Sequence, residues 1–238
     1  MLERQMADRA NSVRSYRTGF QHDESPLREG GIWLNGATDG LDWADVIVSN
    51  GVAYGAVTRM QAAERRLEQG NLASVDAVAA PEGDYDDPTA VLAGVWGRNQ
   101  HARATVFSQN QTEEYFQEVE IRLRSTLEPH RCSGYEIFWR CLKTENAYAE
   151  IVRWNGKVGD FTSLRKLSGP QYGVTDGDVV EAIVSGNVIT GIVNGLEVIS
   201  AEDGVFETGS PGIGFNFGVG NTNVDHGFTS FEVDSYDD

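Results

Sequence analysis

Glu118 and Glu120 stand two apart in the segment Phe116-Gln-Glu-Val-Glu-Ile-Arg-Leu-Arg124. In an extended strand such positions share one face, about 6–7 Å apart. Two carboxyl groups at that separation can divide acid, base and nucleophile duties at a glycosidic bond. Val119, Ile121 and Leu123 occupy the opposite phase and form the apolar side. The same alternation continues in Ser133-Gly-Tyr-Glu-Ile-Phe-Trp-Arg-Cys141 and Tyr148-Ala-Glu-Ile-Val-Arg-Trp154. The candidate catalytic pair is therefore Glu118 and Glu120. Arg122, Glu136, Phe138, Arg140, Tyr148, Glu150 and Trp154 are the candidate substrate contacts. The plainer reading is a polar sheet face on which Glu and Arg satisfy each other across strands. Both faces of the second segment carry large rings, Tyr135 and Trp139 on one and Phe138 on the other, so alternation alone does not say which face is the core.

Other clusters point to other chemistry. Trp33, Trp43, Trp96, Trp139, Trp154, Tyr135 and Tyr148 offer flat faces on which the C–H edges of sugar rings pack. Asp84, Asp86 and Asp87 lie in a loop with Gly and Pro, an oxygen-rich composition that suits calcium, although the spacing is not that of an EF-hand. Cys132 and Cys141 flank one strand, which places them on the order of 30 Å apart and rules out a bond between them. The four histidines, His22, His101, His130 and His226, are scattered, and Gly-x-Ser-x-Gly is absent, which disfavours a nucleophile-elbow hydrolase. Asn110-Gln-Thr112 matches a glycosylation acceptor.

These residues must be held by strands. The chain has 238 residues, and its 27 glycines include turn signals such as Asn50-Gly51, Asn155-Gly156, Asp176-Gly177 and Asn194-Gly195. Tight hairpins favour such dipeptides because Gly tolerates positive φ. Short strands are expected at 46–48 and 50–54. From residue 90 they follow at 90–96, 102–107, 115–124, 134–142, 147–154, 161–164, 178–185, 187–194, 196–201, 212–217 and 227–234. Only a sandwich or barrel buries so many strands. Val57, Met60, Ala63 and Leu67 recur at helical spacing, with Gly70 placed to end a short amphipathic helix. The expected organisation is an N-terminal arm over 1–19 and one domain over 20–238, with an irregular insertion at about 57–89.

The segments Gly134-Tyr-Glu-Ile-Phe-Trp, Asp176-Gly-Asp-Val-Val-Glu-Ala, Val193-Asn-Gly-Leu-Glu-Val and Thr208-Gly-Ser-Pro-Gly-Ile-Gly-Phe resemble the concanavalin A-like lectin/glucanase superfamily in its laminin-G-like branch. The resemblance covers roughly 90–234 and implies an all-β fold, a two-sheet antiparallel jelly-roll sandwich. One such fold hosts lectins, hydrolases, lyases and adhesion modules. The laminarinase-like hydrolases of this superfamily carry Glu-x-Asp-x-Glu on one strand. Here the strand reads Glu118-x-Glu120-x-Arg122-x-Arg124, so a cation stands where the third acid would be. Jelly-roll lyases set an Arg against a uronate beside a Tyr or His base, parts that Arg122, Arg140 or Arg153 and Tyr148 would take. Their Arg-Thr-Glu-Leu-Arg and Gln-Ile-His segments are absent. Laminin-G-like relatives often bind calcium, which strengthens the expectation of a structural ion at Asp84, Asp86 and Asp87.

A net charge of −17 repels phosphate backbones and anionic lipid, so no nucleic-acid partner is expected. No apolar stretch approaches the ~20 residues of a membrane span, and Met1 to Phe20 has no secretory apolar core. The leading expectation is recognition of a polysaccharide outside the cell by the polar, aromatic-bearing face. The alternatives are a glycoside hydrolase or a lyase acting in the same groove, or a structural module of a cell surface or virion.

Overall fold

Period-two alternation between tight turns produces a two-layer sandwich. The structure, a computed structural model, describes residues 14–56, 87–217 and 224–237. The first of its two sheets contains β1 (Arg14–Thr18), β3 (Val46–Ser49), β4 (Val52–Gly55), β6 (Asn99–Ser108), β11 (Val179–Ser185), β12 (Val188–Val193), β13 (Leu196–Glu202) and β15 (His226–Tyr236). The second contains β2 (Trp33–Asn35), β5 (Thr89–Leu92), β7 (Gln117–Glu128), β8 (Arg131–Arg140), β9 (Tyr148–Gly156), β10 (Phe161–Ser168) and β14 (Ser210–Phe217). Strand order is β13-β12-β11-β6-β15-β4-β3, with β1 alongside β15, and β10-β9-β8-β7-β14-β5-β2. Every paired strand is antiparallel. The expected all-β jelly-roll sandwich is the observed fold.

The hydrophobic core lies between the sheets and settles which face is which. Val119, Ile121 and Leu123 of β7, and Tyr135, Ile137 and Trp139 of β8, pack against Ala102, Ala104 and Val106 of β6 and Phe228 and Phe231 of β15. Trp33 and Trp96 are in that core as well. Trp33, Trp96, Trp139 and Tyr135 are therefore structural residues, which corrects their reading as sugar platforms. Cys141 joins the core and Cys132 a smaller cluster with Trp43, Val91 and Leu127; both thiols are free.

Turn chemistry places the hairpins. Asn50 and Gly51 (φ 52° and 78°) connect β3 to β4, and Asn194 and Gly195 (φ 51° and 77°) connect β12 to β13. Positive φ at both central positions is what a two-residue hairpin turn requires. Asn155-Gly156 behaves differently: both residues stay in β9, paired with Ser133 and Cys132, and the chain reverses at Lys157–Asp160. Residues 14–18 of the expected arm form β1, which pairs with Phe231–Ser235. The helix expected over 57–69, together with Asp84 and Asp86, lies outside the described residues.

Two departures from regular pairing shape the second sheet. The β7–β8 register shifts between Leu123 and Thr126, and Arg124 there has φ 47°. Such a bulge breaks the alternation. Arg124 consequently leaves the face of Glu118, Glu120 and Arg122 and donates to the carbonyls of Arg98 (2.7 Å) and Phe206 (2.9 Å). The strand expected at 212–217 is β14, which begins at Ser210 and takes in the Pro211-Gly-Ile-Gly segment.

Gly191 on β12 faces Trp139 across the sandwich. A Cβ there would fall 2.8 Å from Ile199 Cγ2, 2.9 Å from Ile137 Cγ2 and 3.1 Å from Trp139 Cζ2. We expect Gly191→Ala to destabilise the fold by about 1–3 kcal/mol through overpacking, read as a lower midpoint of guanidinium unfolding. An unchanged midpoint would contradict this account of the core.

Candidate functional site

Register places the polar residues in rows across the second sheet. Gly214, Glu120, Phe138, Glu150 and Lys166 are successive cross-strand neighbours on β14, β7, β8, β9 and β10. Gly212, Arg122, Glu136 and Val152 form the next row. Asn216, Glu118 and Arg140 form the row on the other side. Sequence spacing marked most of these positions, and the structure brings Glu118, Glu120, Arg122, Glu136, Phe138, Arg140, Tyr148, Glu150 and Trp154 to one face. It adds Asp87, Trp43, Lys166, Asn216 and the gap above Gly214.

One end of this face is sealed. Glu120, Arg122 and Glu136 are 2%, 1% and 2% exposed. Arg122 Nη2 lies 2.8 Å from Glu136 Oε1 and 3.3 Å from Asp87 Oδ2, and Nη1 lies 3.6 Å from Cys132 Sγ. Only the Asp87 contact among the two carboxylates has hydrogen-bond geometry, so the Glu136 contact is a charge pair lying off the N–H axis. Trp154 donates its indole N–H to the second Glu136 oxygen at 2.6 Å and stacks edge-on against Trp43 at 6.4 Å. Burial works against the Arg122 charge, but Glu136, Cys132, Asp87 and Glu120 outweigh it and hold the guanidinium firmly protonated. Burial also pushes the Cys132 thiol up to about 11, which makes it an inert packing group.

The other end is partly open. Phe138, Arg140 and Asn216 are half-buried around Glu118. The Tyr148 hydroxyl donates to one Glu118 oxygen and Asn216 Nδ2 donates to the other at 3.0 Å. Phe138 and Tyr148 meet edge to face at 6.3 Å. Lys166 Nζ sits 3.7 Å from the centre of the Tyr148 ring and 2.8 Å from Glu150 Oε2. Arg140 donates to the Asn146 carbonyl at 3.1 Å and covers Phe116. Burial raises Glu118 to about 7, offset in part by the Tyr148 hydrogen bond and the Lys166 charge. Burial, and then the neighbouring Asp87 and Glu136, raise Glu120 well above the ordinary carboxylate range. The two carboxyl groups of β7 thus occupy unlike environments, the condition under which one acts as acid while the other titrates.

The arrangement excludes some chemistry. Arg122 is sealed and paired, so it cannot reach a uronate. Arg153 points to Asp203 and Thr162, away from Tyr148. Of the three aspartates expected to hold calcium, Asp87 is described, and it is turned inward against Arg122. Oxygens of Asp87, Glu120 and Glu136 lie within 4.8 Å of one another, a spacing that suits a cation. The Arg122 guanidinium already rests against two of the three, however, so a divalent ion would meet a fixed positive charge at contact distance. The donor set does not fit calcium. Among the described residues, no helix is long and apolar enough to cross a membrane.

No known protein family and no curated protein matches the chain in sequence. Its three-dimensional structure is similar to a prokaryotic β-1,3-1,4-glucanase (lichenase) from a mouse hindgut metagenome, with 13% identity over 94% of this chain and 100% of that one and a TM-score of 0.54. It is also similar to the carbohydrate-binding module CBM66 of Bacillus subtilis, with 11% identity over 89% and 97% of the two chains and a TM-score of 0.51. The exoplasmic/lumenal domain of VIP36 in its Ca2+/Man-bound form gives 11% identity over 89% and 91% and a TM-score of 0.53. At these identities the likeness is one of fold alone, the two-sheet antiparallel sandwich.

The buried acids set a pH dependence. Glu118 and Asp87 are both raised to about 7, so the folded state binds protons that the unfolded chain releases from about pH 4 upward. Their stabilisation is complete below the unfolded values and is lost as pH rises through 7. Buried His226, held down to about 4, acts in the opposite sense but is one group against two, with Glu120 adding to the acids. We expect stability to urea to fall by on the order of 1–3 kcal/mol between pH 5 and pH 8, with a shallower fall in Glu118→Gln. A stability that rises over that window would contradict the burial of these acids.

Proposed function

We propose that the protein binds a neutral polysaccharide along the polar face of the second sheet, at the end bounded by Glu118, Phe138, Tyr148 and Asn216. The observation that carries this reading is the partly open edge at which half-buried Phe138 and Asn216 border buried Glu118 and Tyr148. Two aromatic rings stand edge to face beside a carboxyl group that a hydroxyl and an amide hold in place. Sugars are recognised by such pairings, in which ring C–H groups pack on aromatic surface and fixed polar groups read the hydroxyls. The lichenase and CBM66 show that this fold serves both the cleavage and the binding of carbohydrate. A neutral polymer suits the chain because its net charge of −17 repels a polyanion.

Hydrolysis is the second reading, favoured by one observation: Glu118 and Glu120 share one face of β7 in unlike surroundings, Glu118 held by Tyr148 and Asn216 and Glu120 set against Asp87 and Glu136. Glu118, bordered by half-buried Phe138 and Asn216, is the one of the pair that a sugar would meet, and Glu120 lies sealed behind it. Arg122 occupies the third position, where laminarinase-like strands carry an acid.

Incubation with a panel of neutral and uronate polysaccharides tests both readings. We expect retention on a neutral polymer, weakened roughly tenfold in Phe138→Ala, which corresponds to about 1.4 kcal/mol. New reducing ends that disappear in Glu118→Gln and Glu120→Gln would make the protein a hydrolase. Failure to be retained by any polymer would sink the proposal and leave an adhesive or structural module.

A further inference from the structure

Three acids share the sealed end of the face with one base. Asp87 precedes β5, Glu120 lies on β7 and Glu136 on β8, and all three are at least 95% buried. Glu120 Oε2, Glu136 Oε1 and Asp87 Oδ1 accept no hydrogen bond from any described donor. Arg122 contacts Glu136 and Asp87 and is the one cation among the described residues that contacts the trio. Glu120 is the member it leaves unpaired. A Cβ at position 214 would fall 2.3 Å from Glu120 Oε2 and 3.2 Å from Glu136 Oε1, so glycine on β14 creates the space in which the acids meet. The remaining described groups facing the cluster supply no second positive charge. Cys132 is an inert thiol, Trp154 donates a neutral N–H to Glu136, Glu118 is another acid, and Lys166 is engaged by Glu150 and Tyr148.

Three ionised carboxylates around one guanidinium leave two negative charges without compensation in a site closed to water. Like carboxylates in contact cannot all ionise; one keeps its proton and donates it to a neighbour. We propose that Asp87 and Glu136 are positioning residues that, together with Arg122, hold a proton on Glu120. Arg122 rests against Glu136 and Asp87 and not against Glu120, so Glu120 is the acid of the cluster that keeps its proton to the highest pH. The bearing of this proton on a sugar at Glu118 rests on the reading above, whereas its location does not.

Carboxyl-carbon NMR of protein labelled at the Glu side-chain carboxyls, followed from pH 5 to 9 without sugar, tests the assignment. We expect one Glu signal, missing in Glu120→Gln, to remain protonated past pH 7. In Asp87→Asn and in Glu136→Gln its midpoint should drop by at least one unit, a tenfold loss of proton affinity. Where one of those variants fails to fold, the other decides. A Glu120 signal titrating near pH 4–5, or a midpoint unmoved in the folded variants, would overturn the proposal. So would loss of the acid signal on adding calcium, which would show a cation in the proton's place. Because no sugar is present, a negative result here leaves polysaccharide binding to its own test.

Discussion

β7 is buried on both sides, and that constraint governs the rest of the structure. On one side Val119, Ile121 and Leu123 enter an apolar core. On the other, Glu118, Glu120 and Arg122 are as inaccessible as the valine and leucine they alternate with. Charges removed from water must find compensation within the fold, and Arg122 supplies it through Glu136 and Asp87. A buried ionic network is a poor device for stability alone, since apolar side chains of similar volume hold strands together equally well. That the central strand carries one is the physical reason to read this face as a site.

The backbone around β7 is adapted to that network. Glycines at 212 and 214 leave β14 bare on the site face, and the approach to β5 brings Asp87 over the gap. The bulge at Arg124 ends the polar stripe after three residues by sending the fourth to the carbonyls of Arg98 and Phe206. The stripe is thereby divided into a closed cluster around Arg122 and a half-open rim around Glu118. Charge balance is settled in the first, and contact with a ligand is proposed at the second.

Strands and hairpins were legible in the sequence because their signals are local. Alternation located β6 to β15 within a few residues, and Asn-Gly marked the β3–β4 and β12–β13 turns. Asn155-Gly156 misled because Gly156, with φ 134°, serves an extended strand as readily as a turn. Both faces of β8 and β9 alternate large side chains, so it took the packing of Tyr135, Ile137 and Trp139 against the first sheet to show which rings were core. Arg124 could not be placed by parity, because a bulge shifts parity without a sequence mark. Asp87 is 33 residues from Glu120 along the chain, and only the β5–β14–β7 pairing brings it near. The signal that sequence did offer for the cluster is Gly212-Ile-Gly214, two glycines on one face of a strand, a pattern that marks close approach.

The central claim is that the Glu118 rim contacts sugar. Aromatic-carbon NMR of Phe138 and Tyr148 during titration with a neutral β-glucan oligosaccharide tests it most directly, with Tyr16 and Tyr54 of the first sheet as internal controls. We expect saturable shifts at Phe138 and Tyr148 and none at the controls. Binding that shifts the controls while leaving Phe138 and Tyr148 unmoved would contradict it.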